Sequence, residues 1–272
     1  MSNIPPHLLK FSRAREHLEN LEMEIERWLK GGHYSHVTKR GRKPKRYVVL
    51  ASAERIPFDP ISLLISEVLH NLRSGLDNVA YRLAENFTTP LPSDIAEDSE
   101  FPIFGDKNRK GVSGSGPGLF RDSGLKKIRG VDPAAQAIIE SLQPYQRGNG
   151  YVSDPLWKLH ELSRIDKHRL LHPVACDFSG VALTPDRSFN ARLTPGKIRV
   201  RGGPIERNTE VISYNAEPID PRAEMHVDFE PAVGIAFPDG SVAAREKVID
   251  ALTEIHNYIG NTVLPPLSKY LA

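Results

Sequence analysis

Apolar residues recur at helical spacing along much of the chain, and this pattern predicts the main helices. The first helix is predicted from about Pro6 to Leu29, where Gly31 and Gly32 end it. The most regular pattern lies in residues 61–85, and its apolar face consists of Ile65, Val68, Leu69, Leu72, Leu76, Val79 and Leu83. These two segments are expected to form the centre of a helical core.

Three further helices follow from the same pattern, at residues 133–142, 155–172 and 242–263. An N-cap aspartate followed by proline is typical of the start of the second of these. Pro173 disfavours helical geometry at the residue before it and should end that helix. The last helix is expected to end at the proline pair Pro265-Pro266.

Short apolar runs separated by Gly, Pro and Asn predict antiparallel strands in two parts of the chain. Residues 33–57 indicate a β-hairpin whose second strand contains Tyr47–Leu50. Residues 173–235 indicate about four strands, in VACDFSGVAL, KIRVRG, EVISYN and MHVDFEPAVGIAF. Residues 86–131 are predicted to be long and irregular, and the apolar island Glu100–Phe104 should anchor them to the core.

The predicted fold is therefore α+β, a bundle of about four to five helices with a β-hairpin and a C-terminal antiparallel sheet beside it. A single domain is favoured because the last helix returns to the bundle after the strands. The domain spans 1–272, its helical core comprises 1–30, 60–86, 133–172 and 241–264, and its β-rich subregion is 173–240.

Composition limits the class of protein without giving a function. Hydrophobic residues make up 39% and charged residues 26% of the chain, with a formal net charge of +2, as in an ordinary globular protein. The lone Cys176 excludes an internal disulfide and a zinc site made of cysteines. No apolar run approaches the ~20 residues of a membrane span or forms a signal peptide, so we expect a cytoplasmic protein without membrane contact.

A polar stripe lies opposite the apolar face of the 61–85 helix and consists of His70, Arg73, Ser74, Asp77 and Tyr81. Arg73 and Asp77 stand at i,i+4 and are expected to pair. Short hydrogen-bonding side chains replace the Lys and Glu of an ordinary solvated face. The stripe therefore indicates a site or a structural polar network, with a solvated face as the further alternative.

A second, cationic stripe is predicted on the 155–172 helix, where His160, Arg164 and His168 follow one another at i,i+4 and Lys167 lies on the same side. Histidine exchanges protons near neutral pH, and arginine and lysine bind phosphate. The combination indicates phosphodiester recognition or metal-free cleavage, while the alternative is a basic surface helix. The two stripes are expected to meet, because the first holds the nearest anion for this surplus of cations.

A metal-dependent hydrolase is the least favoured function. His168 and His172 share a spacing suited to two ligands on one helical face, and His70 or His256 could add a third. However, no HExxH motif is present, and the carboxylates lack ligand spacing. We therefore expect neither a metal nor another cofactor.

Six of eight residues are basic in the segment before Tyr47, namely Lys39, Arg40, Arg42, Lys43, Lys45 and Arg46. Such a run is typical of a nucleic-acid contact or of a solvated hairpin tip. Aromatic residues that would stack on bases are absent from the run.

Four segments resemble a family of bacterial proteins in order and spacing across roughly residues 45–175: LHNLRSGLDNVAYRL, the FPI island, SLQPY and PLWKLHELSRIDKHRLLH. That family is largely uncharacterised and brings no established activity. A more distant similarity is to HEPN domains, helical bundles that include metal-independent ribonucleases as well as non-catalytic binding modules. Their motif is an arginine followed, after a short spacer, by histidine. Arg73 and the polar Ser74 match its start, whereas Asn78 stands at the histidine position and leaves that role to His70 or His168.

The favoured function is a nucleic-acid-binding protein with RNA or another nucleic acid as partner, and the resemblance implies a HEPN-like, metal-independent ribonuclease. The catalytic candidates are His70, Arg73, Asp77 and His168, and the phosphate-binding candidates are His160, Arg164, Lys167 and Arg169. The competing hypothesis is a non-enzymatic binding or structural protein in which the same side chains form a polar network. A homodimer is compatible with either function.

Overall fold

A computed structural model describes residues 4–43, 45–54, 58–105, 116–169, 171, 173–177, 191–194, 198–201, 203–218 and 233–272. The protein is α+β, as predicted. Its helices are α1 Pro6–Lys30, α2 Phe58–Phe87, α3 Ser93–Asp98, α4 Gly116–Leu119, α5 Leu125–Lys127, α6 Pro133–Ser141, α7 Pro155–Asp166, α8 Val248–Tyr258 and α9 Leu264–Leu271. Its strands are β1 Tyr34–Arg40, β2 Arg46–Ala53, β3 Val174–Asp177, β4 Ala191–Leu193, β5 Arg199–Val200, β6 Gly203–Pro204, β7 Thr209–Pro218 and β8 Val233–Ala236.

Helix α2 lies at the centre of the core. Every residue of its predicted apolar face is buried, from Ile65 to Leu83. Helix α1 lies along it, and α7, α8 and α9 also contact it. Gly75 allows the close approach of α1, because a Cβ atom at this position would lie 2.4 Å from Cε1 of Phe11. A larger residue at position 75 would therefore collide with the ring of Phe11, which would have to move.

The predicted β-hairpin is present, but it belongs to a larger sheet. Strand β2 pairs with β1 on one side and with β7 on the other, both antiparallel, and β4 and β5 also pair with β7. A second antiparallel sheet has the order β6-β3-β8. The hairpin alone could not bury its own apolar face. Val49 therefore packs with Ile212 and Tyr214 of β7 in a small separate core.

The predicted end of the 155–172 helix is wrong, because α7 ends at Asp166. The hydroxyl of Ser66 donates to the carboxylate of Asp166, and the hydroxyl of Ser62 donates to the carbonyl of Leu171 at 2.7 Å. These bonds draw the chain onto α2, where the side chain of Leu171 is buried. His168 consequently lies beyond the helix, in the turn that follows it.

The predicted bounds of the last helix are also wrong. Helix α8 begins at Val248, and a π-helical turn, Ile259–Val263, joins it to α9, which contains both prolines. The prolines stand in the first turn of α9, directly after the π-helical turn, so the helix continues through them. The segment predicted to be irregular, 86–131, contains α3, α4 and α5. These helices have too few turns to show an apolar repeat.

Some predictions fall on residues outside the described ranges. These are the candidate metal ligand His172, residues 225–232 of the strand segment predicted at 225–237, and the part of the predicted segment VACDFSGVAL beyond Asp177. Of the helices that the structure describes, none has the length and apolar character needed to span a bilayer.

Lys158 joins α7 to the C-terminal part of the chain through a buried charge. Its side chain is 7% exposed, and its Nζ donates to Glu246 at 2.8 Å and to Glu254 at 2.9 Å. Burial alone would lower the pKa of Lys158, but the hydrogen bonds to the two carboxylates raise it above its usual value. The charged lysine therefore links α7 to α8 through its ion pair with Glu254.

We expect Lys158→Met to lower the free energy of unfolding by about 2 kcal/mol, because the change removes two charge-assisted hydrogen bonds and leaves two carboxylates without a cation. Urea denaturation followed by circular dichroism measures this loss. Lys167→Met is the matched control, since Lys167 is exposed at the end of the same helix and should change stability by less than about 0.5 kcal/mol. Equal stability of the two variants would contradict the structural role of Lys158.

Candidate functional site

Arg73 is the centre of a polar network that fastens the island Glu100–Phe104 to α2. Its side chain is 11% exposed, and its Nη2 donates to the carbonyl of Phe101 at 2.8 Å and to the carboxylate of Glu100. The same nitrogen lies 3.0 Å from Oδ1 of Asp77, and this oxygen accepts the N–H of Phe101 at 3.0 Å. The predicted Arg73–Asp77 pair is confirmed, and it holds the island in place.

The two carboxylates of this network respond differently to their surroundings. Burial raises the pKa of Asp77, and the charge of Arg73 and the N–H of Phe101 offset this effect only in part. Burial would also raise the pKa of Glu100, but a hydrogen bond from Lys127 and the nearby cations lower it below its usual value. Glu100 is therefore ionised at neutral pH and binds its cations.

A cleft of about 880 Å³ opens between the island and α7, and it is lined by one residue of the first predicted stripe and two residues of the second. Arg73 represents the first stripe, and His160 and Arg164 represent the second. Nη1 of Arg73 is buried and has no hydrogen-bond partner in the described part of the chain.

An aromatic cluster lines the same cleft. The ring of Trp157 stacks on His160, with centroids 5.4 Å apart and planes at 25°, and meets Tyr151 edge-on at 5.3 Å. The island comes close to this cluster at Gly105, where a Cβ atom would lie 2.6 Å from the Tyr151 ring and 3.0 Å from the Trp157 ring. Trp157 flanks the cationic stripe in sequence at i−3 from His160. Tyr151 was not predicted as a site residue, because it precedes α7 and is not part of a helical repeat.

The cations in the cleft are already paired. Arg164 donates to both carboxylate oxygens of Glu161, at 3.2 and 2.7 Å. Lys127 and Arg73 both donate to Glu100. The cleft therefore offers neighbouring donors and acceptors rather than an excess of positive charge. Neither Lys127 nor Glu100 had been predicted, because the irregular segment that carries them has no periodic pattern.

The structure does not bring all of the predicted site residues to this cleft. His70, Lys167, His168 and Arg169 are exposed and do not line it. Arg73 is three residues after His70 on α2, so the two side chains point about 60° apart around the helix axis. Among the described residues, no group of three or more His, Cys, Asp or Glu side chains could hold a metal ion.

A separate basic surface lies on the large sheet. Directly opposed residues of antiparallel strands point to the same side. Lys39 opposes Val48, Val48 opposes Ser213, and Ser213 opposes Arg199. Lys39 and Arg199, which are remote in sequence, therefore lie on one face. We call it the basic sheet face, and its cations are Lys39, Lys45, Arg46, Arg192, Arg199 and Arg201.

The carboxylates that the described strands contribute to this face do not neutralise it. Glu210 pairs with Arg46 at 2.7 Å, and Glu217 pairs with Lys45 at 2.8 Å. Lys39, Arg199 and Arg201 are exposed and form no ion pair within the described ranges. The remaining hairpin cations, Arg40, Arg42 and Lys43, lie at the end of the same hairpin and are partly or fully exposed. The basic sheet face therefore carries a surplus of positive charge.

The arginines of β4 and β5 had not been predicted as site residues. The segment KIRVRG did predict a strand. Its neighbour in the sheet could not be deduced, because pairing with β7 joins segments that are distant along the chain.

Comparison of the chain with models of protein families, with curated proteins and with solved structures finds no match in any of the three.

We expect Asp77→Ala to lower the free energy of unfolding by about 1–3 kcal/mol, because it leaves the buried N–H of Phe101 without an acceptor. Asp77→Asn is the matched control, since it keeps an oxygen at the same place and should cost less than about 1 kcal/mol. Thermal or urea denaturation compares the two variants. Similar stability of both variants would show that the contact between Asp77 and Phe101 contributes little.

The pH dependence of stability gives a second test of Asp77. Its pKa is raised above the usual 3.8, so the folded protein binds this proton more tightly than the unfolded chain does. The stability of the wild type relative to Asp77→Asn should therefore fall as the pH rises from 3.8 through the folded-state pKa. Denaturation across an acidic pH series measures the difference, and a rise over the same interval would contradict the burial of this carboxylate.

Proposed function

We propose that this protein binds nucleic acid and that the basic sheet face holds the phosphate backbone. The observation that carries the proposal is that three exposed cations without an ion pair in the described ranges lie on one face. They are Lys39 of β1, Arg199 of β5 and Arg201, which follows β5. These cations come from separate segments and lie on one face only through strand pairing, with the buried Val48 and Ser213 between Lys39 and Arg199. A polyanion with repeated charges would satisfy several of them together.

The dimensions of the face favour a polymer over a small anion. Lys39 and Arg199 are three strand spacings apart, which corresponds to about 14 Å between their backbones. A single phosphate cannot contact both side chains at hydrogen-bonding distance when they extend outward in parallel. The stacked rings of Tyr47 and Tyr214 belong to the opposite side of the sheet, so this face offers no described aromatic platform. It would therefore contact the backbone rather than read the sequence.

An anionic membrane would also be attracted to these cations, and its binding is the other outcome of the test. Interfacial binding draws strength from apolar side chains that enter the lipid. Val37, 44% exposed, is the exposed large apolar residue that β1 adds to this face. One valine gives little apolar area, so the observations favour nucleic acid.

A metal-independent ribonuclease is the second candidate, favoured by the position of His160 in the cleft beside Arg73 and Arg164. It has less support than binding alone, because His70 and His168 do not line the cleft and a second acid or base is needed to complete proton transfer. Incubating RNA with the protein in EDTA tests it. Cleavage that is lost in His160→Ala would favour the nuclease, whereas intact RNA would leave binding without cleavage.

We expect the double variant Lys39→Gln/Arg199→Gln to weaken binding to single-stranded nucleic acid of any sequence. Each lost phosphate contact reduces the slope of log affinity against log salt by about 0.7, so two lost contacts should reduce it by about 1.4. Fluorescence anisotropy with labelled RNA and DNA strands across a salt series measures the slope.

The double variant Arg13→Gln/Arg15→Gln is the matched control for this measurement. It removes the same charge from exposed positions of α1, where both arginines are paired with glutamates of the same helix. Its salt slope should equal that of the wild type. The proposal fails if both double variants change the slope equally, or if vesicles with anionic lipid bind the protein and nucleic acid does not.

A further inference from the structure

The cleft between the island and α7 differs chemically from the basic sheet face. Arg164 is paired with Glu161, and Arg73 and Lys127 are paired with Glu100. A cation that already has a carboxylate partner attracts a phosphate far less than an unpaired one does. The cleft is therefore poorly suited to be a second phosphate-binding surface, and its ligand should carry little charge where it enters.

The aromatic residues of the cleft suit a flat ring. Trp157 lines the cleft, remains partly exposed and is held by Tyr151 and His160. Gly105 lies against both rings and His160 stacks on Trp157, so the surrounding protein sets the position of the Trp157 ring. A fixed aromatic ring beside a cleft is a stacking platform for another planar ring.

The polar groups of the cleft suit a ring whose edge both donates and accepts hydrogen bonds. The Glu161 carboxylate provides acceptors, and the Arg164 guanidinium beside it provides donors. Nucleobases combine a stackable face with donors and acceptors on one edge, and proteins read unpaired bases in this way.

We infer that this cleft binds one unstacked nucleobase, with Trp157 as the stacking platform and Glu161 and Arg164 at the base edge. The inference rests on the proposed function, since it takes the base to belong to the bound nucleic acid. The cleft volume of about 880 Å³ lies within the ~300–1,000 Å³ of ordinary small-ligand sites and leaves room for the attached ribose.

Two probes separate base recognition from phosphate binding. One is a single-stranded RNA of mixed sequence, and the other is inorganic polyphosphate of similar total charge, which has no bases. Trp157→Leu should weaken RNA binding about tenfold, as loss of one stacked base does, and should leave polyphosphate binding and the salt slope unchanged. Trp157→Phe keeps an aromatic face and should retain most of the RNA affinity, which excludes misfolding as the cause of the loss.

Binding of free nucleosides provides an independent measurement. The chain has two tryptophans, and Trp28 is 4% exposed, so quenching by a nucleoside should come from Trp157 and disappear in Trp157→Phe. The inference is overturned if Trp157→Leu weakens RNA and polyphosphate binding equally, or if it weakens neither. If Lys39→Gln/Arg199→Gln still reduces the slope of log affinity against log salt by about 1.4, nucleic-acid binding by the basic sheet face would stand even though the inference about the cleft fails. If nucleosides quench the fluorescence but the protein binds no RNA or DNA strand, the cleft would still bind a base, whereas the proposed role of the basic sheet face would be refuted.

Discussion

The arrangement of the site depends on one buried guanidinium. Arg73 leaves the central helix and binds a backbone carbonyl and two carboxylates, so a single side chain fixes the direction of the island Glu100–Phe104. Gln143, 1% exposed, holds the other end by accepting the N–H of Phe104 and donating to the carbonyl of Pro102. The island forms one wall of the cleft and approaches the aromatic cluster at Gly105.

Much of the helical core could be predicted because its information is local. The apolar repeat of α2 is uninterrupted, and all of its predicted face is buried. The ends of helices depended instead on contacts between distant residues. Helix α7 stops where Ser62 and Ser66 of α2 bind the chain, and α9 continues through two prolines because a π-helical turn precedes them. Neither cause can be deduced from the segment that it affects.

In the candidate site too, local patterns could be predicted from the sequence, whereas contacts between distant segments could not. Spacing of i,i+4 along one helix identified Arg73 with Asp77, and it identified His160 with Arg164. The extension of the second stripe to His168 failed because the helix ends first, and His70 lies about 60° from Arg73 around the axis of α2 and does not line the cleft. The basic run of the hairpin was visible in the sequence, whereas its continuation in Arg199 required the register between β5 and β7. The aromatic cluster could not be predicted, because it depends on the contact of the island with Tyr151 and Trp157 at Gly105.

The position of β1 gives its cations a second consequence. This strand is the last in the order of the large sheet, and in the described part of the chain it pairs on one side only, with β2. An open strand edge invites a second copy of the same chain to extend the sheet, and lysine or arginine at the edge opposes this by like-charge repulsion. Exposed Lys39 and Arg40 stand at the end of that edge. A polyanion bound there as proposed would neutralise these cations and weaken the repulsion between copies. The charges that oppose contact between free molecules would then no longer oppose the assembly of several copies side by side on one nucleic-acid strand.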